Sequence, residues 1–589
     1  MKLSQYLSIF FGLSLFFTQQ IWSQQEQDTI KTDRLIITKQ YSPTVNDAFK
    51  IKTKPDVTQE TTLPERKINY PLISVPVAST FQPTKGRAAS LRMSKERDET
   101  YNHYVRLGLG NYTNLLADYI GNFQLNAKQN LGIDFSHFSS QGGIDEAYFD
   151  DAFARNTLDV DFESDEGRWI WKTRAGFEHF YHNYYGEPIF QEAGFTFNPG
   201  FTPVQNYLGF NFGASAAIYD SFLEGVNVNY NFFSDDFDAL EHQLQLKSNF
   251  NFSLGGKKIQ NEVGLDYLKG EFSAVNNGYA YGQELAFEDN YGQLIASYAP
   301  SVFIEEDRFT LQVGAEVSFF NDAERNDSKV FIYPKVEANY RVIPDNLIAY
   351  AGVDGGLDKN SFRSFVMNNP FVSSNLTILP TDRQYESFVG AKGSSGQFSY
   401  NARASYKNED ARALFRNNNG PNPEFFEQAN MIRPFEVGNS FGVVYDNLQT
   451  LAFDGEANYD FSQNFNLGIN FNYSIFSTDN QEEAWNLPNL YASVVSNFQL
   501  NEKWSLGSSL FYVGERKDLE TIGPSGNTQS EVINVDGFLD LSLNVNYRLN
   551  KQLSVFFLGN NLVGGNYERW NNYQVQGLQL MGGLSYQFK

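Results

Sequence analysis

The chain has 589 residues, no cysteine, a formal net charge of −24 and 16% aromatic residues, with 54 Phe and 34 Tyr. The absence of cysteine excludes disulfides, thiolate metal sites and a lipidated cysteine after a signal segment. The sign of the charge disfavours nucleic acid as a partner, and past the N-terminus no run reaches the ~20 apolar residues a transmembrane helix needs.

In chain order, residues 1–23 read as a secretory signal. Lys2 supplies a short positive region, Tyr6 to Phe17 the apolar stretch, and small Ser23 the last residue before cleavage. Residues 24–101 form a leader that does not read as a packed domain. Six prolines, Pro43, Pro55, Pro64, Pro71, Pro76 and Pro83, fall in it, and its apolar residues keep neither a two-residue nor a 3.6-residue period. The expectation is an extended strap or a mostly disordered segment. Residues 24–100 carry +3 and residues 101–589 carry −28. A slightly basic leader before an acidic barrel fits contact with an acidic lumen or rim. Acidic loops that keep the surface soluble account for the same numbers.

From Asn102 to the end the chain alternates with a period of two, the mark of strands whose successive side chains point to opposite faces. Leu158, Val160 and Phe162 alternate with Asp159, Asp161 and Glu163. Phe465, Leu467, Ile469, Phe471, Tyr473 and Ile475 alternate with Asn464, Asn466, Gly468, Asn470, Asn472 and Ser474. One face is apolar and the other carries Asn, Asp, Ser or Gln, which suits lipid outside and a hydrated lumen inside. Tight-turn compositions occur at Ala127–Asn130, Asp165–Arg168, Asp220–Phe222, Gly255–Lys258, Glu305–Asp307, Pro344–Asn346, Ser394–Gln397, Ser462–Asn464, Asn501–Lys503 and Asn550–Lys551. Between them lie longer Gly-, Asn- and Asp-rich connections, including 181–203, 272–288, 357–383, 408–436 and 516–533. Short periplasmic turns and long outer loops are the pattern of an outer-membrane barrel. Taking Phe435 to Phe461 as one strand, the count closes at 22, with 20 or 24 as the alternatives. The predicted fold is all-β: a transmembrane antiparallel up-and-down β-barrel of about 22 strands over residues 102–589, behind an extended leader.

The final strand alternates most cleanly. Leu578, Leu580, Leu584, Tyr586 and Phe588 fall on one face and Gln579, Met581, Ser585 and Gln587 on the other. Leu584, Tyr586 and Phe588 supply the C-terminal signal expected of such a barrel. The stretch from Asp540 to Asn550, then Leu553-Ser-Val-Phe-Phe-Leu-Gly-Asn-Asn-Leu562, Tyr567-Glu-Arg-Trp570 and Gly582 to Phe588, resembles the last strands of TonB-dependent receptors. The resemblance covers about the last fifty residues closely and the rest by strand count. It implies a receptor-like barrel that imports or gates a solute, a lumen too wide for its own side chains to fill, and a globular plug before the barrel. Residues 24–101 are too few for a complete plug. It further implies a short apolar stretch near the mature N-terminus that adds as a strand to a TonB-type periplasmic partner; Leu35, Ile36, Ile37 and Thr38 match.

No catalytic or metal motif is present, and neither an enzymatic activity nor a cofactor is expected. His179 and His182, three apart on a strand, point to opposite faces. Acidic groups at Asp145, Glu146, Asp150 and Asp151, and at Asp235, Asp236 and Asp238, read as solvated loop carboxylates. For recognition the long connections 357–383 and 408–436 are the better candidates, with Phe425, Phe426, Met431 and Phe435 as residues water disfavours. The aromatics around 180–197 fit either a binding surface or a girdle at the lipid boundary. The functional expectation is a receptor-like transporter. The alternative is a non-transporting subunit of a larger outer-membrane complex, with other outer-membrane subunits or a surface lipoprotein as partners.

Overall fold

A computed structural model describes residues 101–145, 147–187, 202–272, 290–344, 346–418, 433–436, 438–522 and 529–589. Residues 1–100, which hold the expected signal and all but the last residue of the expected leader with Leu35–Thr38, and Phe425, Phe426 and Met431 lie outside the described residues.

Twenty-two antiparallel strands make one sheet, each hydrogen-bonded to its neighbours. The sheet closes where the first strand, His103–Gly110, pairs with the last, Gln579–Phe588. At this seam His103, Val105 and Leu107 stand opposite Phe588, Tyr586 and Leu584, and Asn102 N donates to Phe588 O at 3.0 Å. Every tight turn expected from the sequence falls at a junction of consecutive strands, several overlapping a strand end by one or two residues. The turn Gly255-Gly256, between strands Leu240–Leu254 and Lys257–Glu271, shows why composition finds them: its φ values are 58° and 77°, which a two-residue hairpin demands and glycine supplies without strain. The stretch expected as one long strand is one, Phe441–Ser462, although Phe435 falls short of its start.

The faces follow the alternation. Ile469, Phe471, Tyr473 and Ile475 on strand Phe465–Thr478 stand 37–49% exposed on the outside of the barrel. Their alternates meet polar partners across the lumen face, Asn470 opposite Glu456 and Ser493. An outward face this apolar is stable only in hydrocarbon, and 14 residues exceed the ~9–11 that a tilted strand needs to cross it. Leu584 and Tyr586 belong to that lipid face, and the Phe588 ring packs 4.9 Å from the His103 ring at the short-turn end of the seam.

Inside, charges are paired across neighbouring strands. Arg106 Nη2 lies 2.6 Å from Asp118 Oδ2, whose other oxygen accepts from Ser136 Oγ at 2.6 Å. Arg174 Nη2 reaches Asp159 Oδ2 at 2.9 Å, and Arg403 Nη2 reaches Glu386 Oε1 at 2.5 Å. The lumen is therefore hydrophilic and of mixed sign, while the main apolar core lies at the outer end, among the long connections.

Candidate functional site: the cap across the outer mouth

The connection between strands Leu347–Asp358 and Thr381–Ser395 does not extend into solvent. It turns down into the mouth of the barrel and contributes the helix α1, Phe362–Asn368. The local sequence explains the helix. Ser361 is an N-cap whose hydroxyl accepts from Ser364 N at 3.0 Å, while Ser364 Oγ accepts from Ser361 N at 3.0 Å. Phe362, Phe365 and Val366 then share the buried face.

The barrel wall is built to hold this loop. Glu241, only 3% exposed, receives the first amides of α1: Phe362 N at 2.7 Å and Arg363 N at 3.2 Å. Tyr291 donates its hydroxyl to the same carboxylate at 2.6 Å. Arg363 Nε lies 2.7 Å from Glu178 Oε1, and Lys359 pairs with Asp266. Further along the loop, Gln293 Nε2 donates to Ile378 O at 2.7 Å and Arg325 Nη1 to the same oxygen at 3.3 Å. Tyr445 OH donates to Thr377 O at 2.8 Å and accepts from Leu379 N at 3.0 Å. Gln205 Nε2 donates to Ser374 Oγ at 3.0 Å, and Tyr184 OH to Val372 O at 2.6 Å.

Other outer connections complete the layer. Val372 bridges Phe441, with Ser373 N donating to Phe441 O and Phe441 N donating to Phe371 O, both at 2.9 Å. Phe371 stacks on Tyr573 with ring centroids 3.6 Å apart, and Tyr185 meets both rings edge-on. Tyr573 belongs to a small hairpin, Glu568–Trp570 with Tyr573–Gln574, and its hydroxyl donates to Asn439 O. Burial in this layer pushes the Tyr184 and Tyr573 hydroxyls well above their ordinary ionisation range, so both stay neutral donors. Asn561, at φ 48°, shapes the connection that carries the hairpin, donating to Gly565 O at 2.9 Å and Gln576 O at 3.1 Å. Gln576 in turn donates to Ser140 Oγ at 2.7 Å.

A second hairpin, Arg516–Ile522 with Gln529–Val535, rises from the rim. Arg516 ties its base to the small hairpin, donating to Arg569 O and, at 2.8 Å, to Glu568 O. Asp518, on the same strand above the membrane, accepts from Asn417 N at 2.9 Å, and burial pushes its pKa up to about 6.

Among the sequence candidates, Phe435 is fully buried in this layer, its ring edge-on to Phe237 at 5.4 Å. Phe180, Tyr184 and Tyr185, which the sequence leaves between a binding surface and a lipid girdle, occupy neither place; they are 3%, 0% and 7% exposed within the cap. His182 is buried there too, stacked on Tyr207, whereas His179 lies on the opposite face of the strand Trp169–Asn183. Sequence reasoning missed Glu241, Tyr291, Arg363 and Glu178. The signal for the helix was present in Ser361 and Ser364 flanking the first apolar residue; the partners were not findable, because they lie 121 and 185 residues away. Among the described residues no group of three His, Asp or Glu is placed to hold a metal ion.

No family model and no curated protein matches the chain. Solved structures do. The pyoverdine outer-membrane receptor FpvA of Pseudomonas aeruginosa PAO1 aligns with a TM-score of 0.59 at 12% identity, over 84% of this chain and 79% of that one. The FrpB iron transporter of Neisseria meningitidis gives 0.59 at 11%, covering 84% and 83%, and the ferric-catecholate import receptor Fiu of E. coli K12 gives 0.58 at 10%, covering 84% and 83%. These likenesses, the strand count and the apolar outer belt agree: this chain is an outer-membrane protein with the closed 22-stranded barrel fold of TonB-dependent receptors.

Proposed function

We propose that the protein is a receptor-type transporter that admits a solute through a barrel shut at rest and opened by work done from the periplasm. The observation that supports this most is the combination of a 22-strand wall with a cap that fills its outer mouth. A permanently open pore has no use for such a cap, and a barrel this wide needs one if cells are to keep their contents. The structurally similar proteins are transporters and import receptors rather than enzymes, and import is the activity carried over from them. Residues 1–23 are the export signal and residues 24–101 the strap, with Leu35, Ile36, Ile37 and Thr38 adding as a strand to a TonB-type partner. Removing residues 35–38 and measuring binding of the full chain to the partner's periplasmic domain tests this. Loss of binding supports the reading, and equal binding by both forms refutes the assignment of that segment.

A second reading is favoured by the tying together of the outer connections, which presents a fixed outer surface suited to another outer-membrane subunit or a surface lipoprotein. Phe425, Phe426 and Met431 belong to the connection that would offer it. Co-purification of a stoichiometric outer-membrane partner, with no solute uptake, would favour this reading over transport.

A further inference from the structure

The cap spans the barrel rather than lining part of its rim. Gln293, which holds Ile378 O, stands on Tyr291–Glu306, the tenth strand of the wall. Tyr573, which stacks on Phe371, hangs from the connection after Leu553–Asn560, the twenty-first. Eleven strands of a ring of 22 is half the circumference, so an unbroken path from Ile378 through Val372 and Phe371 to Tyr573 crosses a full diameter. Along it Ile378, Val372, Phe371 and Tyr573 are between 0% and 4% exposed. To either side of that path the mouth is filled from the wall by Phe180, Tyr207 and Phe233 on one flank, and on the other by Phe441 of the wall and Trp570 of the small hairpin. An ion crossing such a layer would have to leave water, at a cost that closes the path.

We infer that this cap is the protein's permeability barrier: the barrel is closed from outside by its own connections, with 359–380 as the lid, and its closure does not depend on residues 24–101. The inference stands whether the closed barrel serves import or a larger complex.

The test uses the full mature chain in planar bilayers. Replacing residues 361–378 by a short Gly-Ser linker removes the lid and leaves the leader in place. The expected result is a closed wild type and at least a tenfold rise in conductance for the lidless chain. A lidless chain that stays closed would place the barrier elsewhere and overturn the inference, as would a wild type that is open at rest. A variant that keeps the lid covers the case in which the lidless chain does not fold. Val372 and Phe441 are bridge partners, at a Cα spacing that a disulfide accommodates, and the chain has no other thiol. In a Glu241→Ala background, which loosens the lid by removing the acceptor of the Phe362 and Arg363 amides, V372C/F441C should conduct when reduced and lose that current on oxidation; equal current in both states contradicts the inference.

Discussion

Glu241→Ala removes the carboxylate that receives the start of α1 and is the sharpest single perturbation of the lid. In the closed state it leaves two amides, Phe362 N and Arg363 N, and the Tyr291 hydroxyl without their acceptor in a site shielded from water. Each orphaned buried donor costs about 1–3 kcal/mol, and partial relaxation by the flexible Tyr291 brings the sum to roughly 3–6 kcal/mol. With tenfold per ~1.4 kcal/mol, the open-to-closed ratio rises by roughly two to four orders of magnitude. Glu241→Gln keeps an acceptor oxygen and most of the shape, and is expected to lose about half as much. Hydrogen exchange of the α1 amides reads the equilibrium directly, because a lid that opens more often exchanges faster. Unchanged protection of residues 362–368 in Glu241→Ala, in a barrel that still migrates as folded, would refute the latch.

The other expectations concern separate parts of the molecule. Phe371→Ala removes a ring stacked on Tyr573 and should cost about 3–5 kcal/mol within the cap; limited proteolysis would then cut within 359–380, and a cut pattern like wild type's would speak against the packing described. Ile469→Lys puts a charge in hydrocarbon at about 2–4 kcal/mol and should lower the unfolding midpoint in lipid, whereas Asn470→Lys, one residue on but facing the lumen, should change it little; the reverse order would mean the faces are misassigned. Asp518 has a folded pKa of about 6 against an ordinary 3.8, so the folded state favours the proton. The sign follows: the hairpin is penalised above pH 6 and gains about 3 kcal/mol as pH falls from above 6 to below 3.8. Protection of the Asn417 amide should therefore rise with acidification, and the rise should vanish in Asp518→Asn; the same pH dependence in that variant would assign it to another group.

The barrel was legible in the sequence because its constraint is local. A strand between lipid and water must alternate, so Leu467, Ile469 and Phe471 announce themselves without reference to any distant residue, and glycines such as Gly255 and Gly256 mark turns by the φ they permit. The same logic counted 22 strands correctly and carried the chain across the long strand Phe441–Ser462. The cap was not legible, since nothing periodic links Phe362, Phe371 and Ile378 to each other or to the wall. Their apolar character marked the connection 357–383 as unusual, but the reason, contact with Tyr184, Phe441 and Tyr573, is written in residues scattered over nearly 400 positions. Phe435 shows the same ambiguity: an apolar residue in a long loop invites a recognition role, while its ring is enclosed among Phe237 and Tyr184.

The most direct test of a barrel shut from outside is thiol access in intact cells. The cysteine-free chain permits single probes at Ser374, 1% exposed within the cap, and at Glu482, exposed on an outer connection. With a membrane-impermeant maleimide, a barrel shut from outside gives fast labelling at position 482 and labelling slowed at least tenfold at 374 while the cap is closed. Equal labelling at the two positions would contradict it.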